Sequence, residues 1–149
     1  MLFLTLFFIF ATAYGLLKGK LFYSLLVELA ENEVKKARGE INELPKELTT
    51  KVGLMVLYML VVLIVQFTYI VKSLSIDPNL YPTAAILIHI FTVFVVSIGK
   101  KGKDLATELG RSKYLAKVSK KYSVNGFFSK IAYLTYFIYM FAVLTDIIK

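Results

Sequence analysis

Four long stretches without Lys, Arg, Asp or Glu constrain this chain more than any other feature. They cover residues 1–17, 52–71, 80–99 and 131–145. A helix needs roughly 20 apolar residues to cross a bilayer, with a usual range of about 17 to 25. The fourth stretch reaches that length when the apolar residues on either side of it are included. We therefore expect four membrane-crossing helices.

Helices are favoured over barrel strands because the four stretches are continuously apolar, whereas a transmembrane strand alternates between two faces. The composition agrees, since 58% of the residues are hydrophobic and 19% are charged. Soluble proteins are roughly 45–50% apolar and about 25% charged. The sequence predicts an all-α polytopic membrane protein, with four transmembrane helices in an antiparallel bundle and one membrane domain over residues 1–149.

The expected helix boundaries follow from the apolar stretches and from capping residues. Gly39 suits the position after a helix C-terminus, and Pro45 suits the first position of the next helix. Helices 1 and 2 should then form a helical hairpin that extends into the cytoplasm, and a basic amphipathic segment should separate helices 3 and 4. The predicted spans are about 1–27 (continuing as helix to about 38), 46–72, 80–99 and 127–148, with a basic loop at 100–126.

The distribution of basic residues predicts the orientation of the chain. Segments 18–51 and 100–130 contain sixteen of the eighteen Lys and Arg residues. Basic residues next to spans are retained on the cytoplasmic side. We expect these two segments to be cytoplasmic, both termini and the turn at 72–79 to lie outside, and the protein to reside in the cytoplasmic or plasma membrane.

The amino-terminal stretch has a second interpretation. Residues 2–10 followed by Ala11-Thr12-Ala13 resemble the apolar core and cleavage site of a signal peptide. A signal peptide carries Lys or Arg before its apolar core, and this chain has neither residue there. We favour an uncleaved first helix.

The sequence excludes several kinds of chemistry. It contains no cysteine and one histidine, so disulfides, zinc–thiolate sites, iron–sulfur ligation, cysteine nucleophiles and two-histidine metal sites are ruled out within one chain. No G-x-S-x-G, H-E-x-x-H or P-loop pattern is present. We expect no catalytic activity, no cofactor and no metal.

His89 lies in the middle of the third span, where an ionisable side chain is a functional hypothesis by default. Helical spacing puts it on one face with Thr92, and we expect its hydrogen-bond partner on helix 4. It could be a proton-relay or gating histidine, or a neutral one bound to a hydroxyl. The second is favoured because no intramembrane carboxylate accompanies it. The candidate partners are Thr135, Tyr136 and Tyr139.

Gln66, Tyr69 and Ser73 form a second polar group, on one face of helix 2. Such residues join transmembrane helices through hydrogen bonds worth roughly 1 kcal/mol or less. We expect a packing role rather than a ligand site.

Ala11, Gly15 and Gly19 recur at every fourth position of helix 1. Small residues at this spacing let two helix backbones approach closely. The partner could be another helix of this chain or a helix of another subunit.

The segment at 100–130 holds nine positive and two negative side chains. Its charges could contact anionic headgroups or an acidic protein partner. Nucleic acid is disfavoured because no aromatic or glycine-rich nucleic-acid motif accompanies them. The candidate contact residues are Lys100, Lys101, Lys103, Arg111, Lys113, Lys117, Lys120 and Lys121.

The function expected from these features is that of a non-catalytic accessory or structural subunit of a larger membrane protein complex. It would act through helix packing and cytoplasmic loop contacts, with membrane lipids and other membrane subunits, or itself, as partners. The alternative is a homo-oligomeric pore-forming or membrane-depolarising protein, resembling a holin or a defence effector. A small transporter or immunity-type protein is less favoured, since helix 1 carries no carboxylate before Glu28.

Overall fold

The computed structural model of the protein describes residues 1–98 and 104–148, and within these residues it contains α-helices and no strands. The expected all-α class is therefore confirmed. Segment 100–130, predicted to contain a basic amphipathic segment, includes a short helix over part of its length. The helices are α1 (Leu2–Lys18), α2 (Tyr23–Ala37), α3 (Lys46–Ser73), α4 (Tyr81–Ile98), α5 (Glu108–Val118) and α6 (Val124–Leu144).

Two helices, α3 and α6, are long and apolar enough to cross a membrane. A third span results if α1 and α2, which are separated by a short break, count as one broken span. The fourth helix is apolar over Tyr81–Val96 but shorter. Among the residues that the structure describes, two or three helices thus meet the requirements for a span, where the sequence predicts four.

The first helix differs from the expected continuous helix over residues 1–38. It ends at Lys18, because Gly19 and Phe22 adopt left-handed φ angles of +85° and +56°. A helix cannot continue through such residues. A Cβ atom on Gly19 would lie 2.8 Å from the carbonyl oxygen of Lys121. Gly19 therefore ends the helix next to a closely approaching backbone, instead of packing on its surface.

The chain divides into two compact units. The first, here called the apolar unit, consists of Met1–Lys18, Val62–Lys100 and Val124–Lys149. The second, the charged unit, consists of Gly19–Val61 and Lys101–Ser123. The charged unit contains 21 of the 28 Lys, Arg, Asp and Glu residues in the sequence.

The apolar unit is built on α6, against which α1 and α4 pack. Phe8 of α1 stacks on Phe137 of α6 with ring centroids 4.9 Å apart, and Tyr69 of α3 meets both rings edge-on. These side chains are buried and give the unit an aromatic centre. The other buried members of this core are Ile70, Ile86, Tyr136 and Met140.

The charged unit pairs α2 with α5. The end of α2 forms as expected, since Gly39 has a φ of +75° and its N–H donates to the carbonyl of Lys36. The following N–H, of Glu40, donates to the carbonyl of Lys35. This glycine-based cap satisfies carbonyl groups that the helix end leaves open.

Candidate functional site

A buried hydrogen-bonded pair joins α1 to α3 in the apolar unit. The hydroxyl oxygens of Thr5 and Tyr69 lie 2.7 Å apart. Ser73, one turn further along α3, donates its hydroxyl to the carbonyl of Tyr69. Tyr69 thus makes the kind of interhelical bond that the sequence predicts for this face. Gln66, the third residue of the face, lines an apolar groove with residues of α4 and α6.

Asp77 is a buried acidic residue of this unit that the sequence analysis did not select as a candidate site. It lies in the turn between α3 and α4 and is 5% exposed. Its carboxylate accepts hydrogen bonds from the N–H groups of Asn79 and Thr83, from the Thr83 hydroxyl at 2.6 Å and from the Tyr139 hydroxyl. Burial opposes its ionisation, but these hydrogen bonds outweigh burial and lower the pKa of Asp77.

The Asp77 carboxylate is therefore the centre of a closed network between the α3–α4 turn and α6. Thr83 continues the network to the Tyr136 hydroxyl, at 3.2 Å. Tyr136 and Tyr139, which the sequence analysis proposed as partners of His89, instead bond to Thr83 and Asp77. The only signal in the sequence was the turn-forming run Asp77-Pro78-Asn79.

His89 has a different partner from those expected. Its Nε2 atom lies 3.1 Å from the Ser129 hydroxyl, and its ring meets the Tyr133 ring edge-on at 5.7 Å. Thr135 lines an open groove beside His89. Thr92 is exposed and donates to a carbonyl of its own helix. His89 is thus bonded to a hydroxyl group on helix 4 of the prediction, but that hydroxyl belongs to Ser129.

The packing register of α4 on α6 explains this difference. Thr83 meets Tyr136, and His89 meets Ser129. Six residues forward on α4 therefore correspond to seven residues backward on α6, as antiparallel helices require. Matching depths from predicted span ends placed the partner six or more residues too far along α6, since the packing register and not the position of the helix ends decides which residues meet.

The three small residues predicted on helix 1 lie in three different surroundings. Gly15 faces α6, where its carbonyl accepts a hydrogen bond from the Lys130 ammonium. A Cβ atom on Gly15 would lie 3.4 Å from that nitrogen. Ala11 is exposed, and Gly19 lies beyond the helix end. Gly15 thus contacts α6 through the Lys130 side chain, whereas the close backbone approach is at Gly19, outside the helix.

The Arg111 side chain of the charged unit bonds to residues at the start of α5. Its guanidinium donates to the Glu108 carboxylate at 2.7 and 3.1 Å, and to the carbonyls of Leu105 and Ala106. Its side chain is 15% exposed. Arg111 therefore braces the start of α5 and does not present its charge as the predicted headgroup or partner contact would.

The start of α5 is also capped. The Thr107 hydroxyl accepts a hydrogen bond from the N–H of Gly110 and donates to Asp104. Hydrogen bonds from the hydroxyl and N–H of Thr107 lower the pKa of Asp104. The Asp104 carboxylate is thus an ionised group at a helix N-terminus, where negative charge is favourable.

Side-chain contacts connect the α2 region to α5 within the charged unit. Arg38 forms an ion pair with Glu108, and the Tyr114 hydroxyl donates to Glu33 at 2.6 Å. At the other end of α5, the Lys20 ammonium donates to the carbonyls of residues 117 and 118. A cation at this position satisfies carbonyls at the helix C-terminus. These contacts hold α2 and α5 together in one arrangement.

An open cleft of about 640 Å³, here called the α2–α5 cleft, lies between these helices. Leucines and a valine form its apolar part, and three lysines line it. Of the other predicted contact residues, Lys120 and Lys121 are exposed outside this lining, whereas Lys100, Lys101 and Lys103 lie outside the described residues. The cleft is lined by Lys20, Leu26, Leu29, Asp104, Thr107, Leu109, Gly110, Lys113, Tyr114, Lys117 and Val118.

No metal site emerges from residues 1–98 and 104–148, where no group of three or more His, Asp or Glu side chains is arranged to hold an ion. Within the same ranges every buried side-chain nitrogen or oxygen has a hydrogen-bond partner. The buried polar side chains of the apolar unit therefore bond to one another or to the backbone.

No protein-family model, curated protein or solved structure significantly matches this chain.

Proposed function

We propose that the protein is a non-catalytic integral membrane protein that acts as an accessory or structural subunit of a larger membrane complex. The apolar unit would anchor it in the bilayer, and the charged unit would contact the partner. The observation that carries this proposal is the construction of the charged unit. Side chains at or next to the two ends of α2 bond to the two ends of α5. A loop that served only to orient the chain would need charge but no defined fold.

A non-catalytic role is supported by the chemistry of the apolar unit. Its buried carboxylate, Asp77, is saturated by four hydrogen bonds that fix the α3–α4 turn. Its histidine is paired with a single serine hydroxyl. These groups support packing, because each is engaged in a contact between elements of the unit.

We propose four spans, with both termini and the α3–α4 turn outside and segments 18–51 and 100–130 in the cytoplasm. The chain has no native cysteine, so single cysteines report topology without background. Asn79→Cys and Ser112→Cys replace exposed residues in the turn and on α5. A membrane-impermeant maleimide should label intact cells at position 79 and label position 112 only after permeabilisation. Labelling of both positions in intact cells would contradict this topology.

Native mass spectrometry of the tagged full chain, purified in mild detergent from its own host, tests the subunit role. We expect the chain to be recovered with a different polypeptide at fixed stoichiometry. Arg38→Glu, which places two carboxylates opposite each other at the α2–α5 contact, should reduce that recovery. Exposed Lys36→Glu is the matched control. Recovery of the chain alone would overturn the subunit role.

A homo-oligomeric pore is the alternative, and a closed ring of identical subunits in the same measurement would favour it. A pore lining would have to come from polar faces such as Gln66, Tyr69 and Ser73 or His89 and Thr92, and their positions give the pore less support. Tyr69 and Ser73 are buried inside the apolar unit, and His89 faces α6. Of these polar residues, Gln66 and Thr92 remain for a pore lining.

A further inference from the structure

We propose that the α2–α5 cleft binds one anionic phospholipid, with the phosphate near Lys113 and Lys117 and an acyl chain along the leucines. The inference rests on the membrane insertion proposed above and does not require a protein partner. A volume of about 640 Å³ lies within the roughly 300–1,000 Å³ range of small-molecule sites.

Helical spacing on α5 brings the two parts of the cleft together. Leu109, Lys113 and Lys117 follow one another at intervals of four residues, so they share one face of the helix. Both lysines are exposed, and Leu109 is 65% exposed. An exposed leucine below two exposed lysines offers apolar contact and positive charge on the same helix face.

The opposite wall comes from the α2 region. Leu26 and Leu29 of α2 line the cleft, and Lys20 brings a third ammonium group to it. The Lys20 ammonium is bonded to two carbonyls at the end of α5, so its charge is fixed in position. The lining contains three lysines and one carboxylate, that of Asp104. The Asp104 oxygens accept hydrogen bonds from residues at the start of α5. The cleft therefore has an excess of positive charge.

An amphipathic anion fits this arrangement better than a purely acidic peptide. Acidic side chains would satisfy the lysines but leave the leucines exposed to water. A phospholipid supplies both a phosphate and a hydrocarbon chain. Sequence position agrees, because Lys20 follows the last residue of α1 by two positions and Lys117 precedes the first residue of α6 by seven. Lysines this close to spans are those that contact anionic headgroups.

The test compares two double variants of the full chain in mild detergent. Lys113→Gln/Lys117→Gln removes two charges from the cleft. Lys120→Gln/Lys121→Gln removes two exposed charges outside its lining. Bound phosphatidylglycerol is quantified by native mass spectrometry, with phosphatidylcholine of the same acyl chains as the reference lipid. The net charge of the two variants is the same, so differences between them report the cleft.

We expect the first variant to lose phosphatidylglycerol affinity at least about tenfold, since each lysine near an anionic surface contributes roughly a fivefold factor. The second variant should change affinity less than about twofold, and native phosphatidylcholine binding should be weak. Equal losses in both variants would overturn the proposal, because they would indicate general electrostatic attraction. Loss of helicity in the first variant is checked by circular dichroism.

Leu109→Gln tests the apolar wall independently of charge, with exposed Leu21→Gln as its control. Only the first should weaken phosphatidylglycerol binding. Glycerol phosphate should compete poorly with the lipid. Competition as effective as that of the lipid would identify a free-phosphate site and overturn the lipid assignment. Displacement of the lipid by an acidic peptide would overturn it as well. Phosphatidylglycerol binding by a chain recovered without partners would overturn the subunit role and leave the cleft proposal intact.

Discussion

The Tyr69 hydroxyl lies 2.7 Å from the Thr5 hydroxyl, and the direction of this hydrogen bond can be assigned. Thr5 donates its own proton to the carbonyl of Met1 at 3.1 Å. Tyr69 is therefore the donor and Thr5 the acceptor. The bond connects α3 to the first turn of α1 inside the aromatic core, where water cannot replace either partner.

Removal of this bond should destabilise the apolar unit measurably. Tyr69→Phe leaves the Thr5 hydroxyl bonded to Met1, so we expect a loss of about 0.5–1.5 kcal/mol in the free energy of unfolding. Denaturation with SDS in mixed micelles measures it. In a double-mutant cycle with Thr5→Val, the two losses should not add. Exposed Tyr58→Phe is the control, and an equal loss there would contradict a specific role for the Tyr69 hydroxyl.

Asp77 should make the stability of the protein depend on acidic pH. Its pKa is lowered in the folded protein, so the ionised form favours folding. This contribution is fully present above the unfolded pKa of about 4 and is lost as the pH falls through the lower folded-state pKa. The free energy of unfolding, measured between pH 7 and pH 3, should therefore decrease below about pH 4.

Asp77→Asn separates this carboxylate from other acidic groups. An amide cannot accept all four hydrogen bonds that the carboxylate accepts, so we expect a loss of about 1–3 kcal/mol at pH 7. The loss should shrink as the pH falls below about 4, because the stability that the ionised Asp77 contributes is then being lost. A loss independent of pH would mean that the charge of the Asp77 carboxylate does not contribute to stability.

Arg111 and Lys113 should respond differently to the same substitution. Arg111→Gln removes donors to Glu108 and to two carbonyls, and should cost about 1–2 kcal/mol in the charged unit. Lys113→Gln replaces an exposed side chain and should change stability by no more than about 0.5 kcal/mol. Hydrogen exchange of the α5 amides measures both effects. Equal protection of α5 in the two variants would exclude the bracing role of Arg111.

The elements that the sequence predicted well are those set by local chemistry. Continuous apolar stretches predicted helices, and α3 was expected at 46–72 and extends over Lys46–Ser73. The end of α2 next to Gly39 followed from the preference of glycine for left-handed φ angles. Each of these features depends on residues within a few positions of one another, so the sequence contains its cause.

The features that were missed depend on residues far apart in the chain. Asp77 is buried because Tyr139, 62 positions later, reaches its carboxylate. The Ser129 partner of His89 follows from the register between α4 and α6. The prediction of basic contact residues also treated Arg111 like the neighbouring lysines. Its contacts with Glu108 and two carbonyls distinguish it from them. Sequence periodicity does not contain this information.

Gly19, in the break between α1 and α2, and Gly39, after the end of α2, provide a matched pair of glycine substitutions. Gly19 and Gly39 both have positive φ angles, so alanine should cost each about 1–2 kcal/mol in backbone strain. A Cβ atom on Gly39 would meet nothing within 4 Å, whereas on Gly19 it would lie 2.8 Å from the Lys121 carbonyl oxygen. Gly19→Ala should therefore lower the thermal unfolding temperature clearly more than Gly39→Ala. Equal effects would mean that the chain can move away from residue 121, and that φ alone makes glycine necessary at the break.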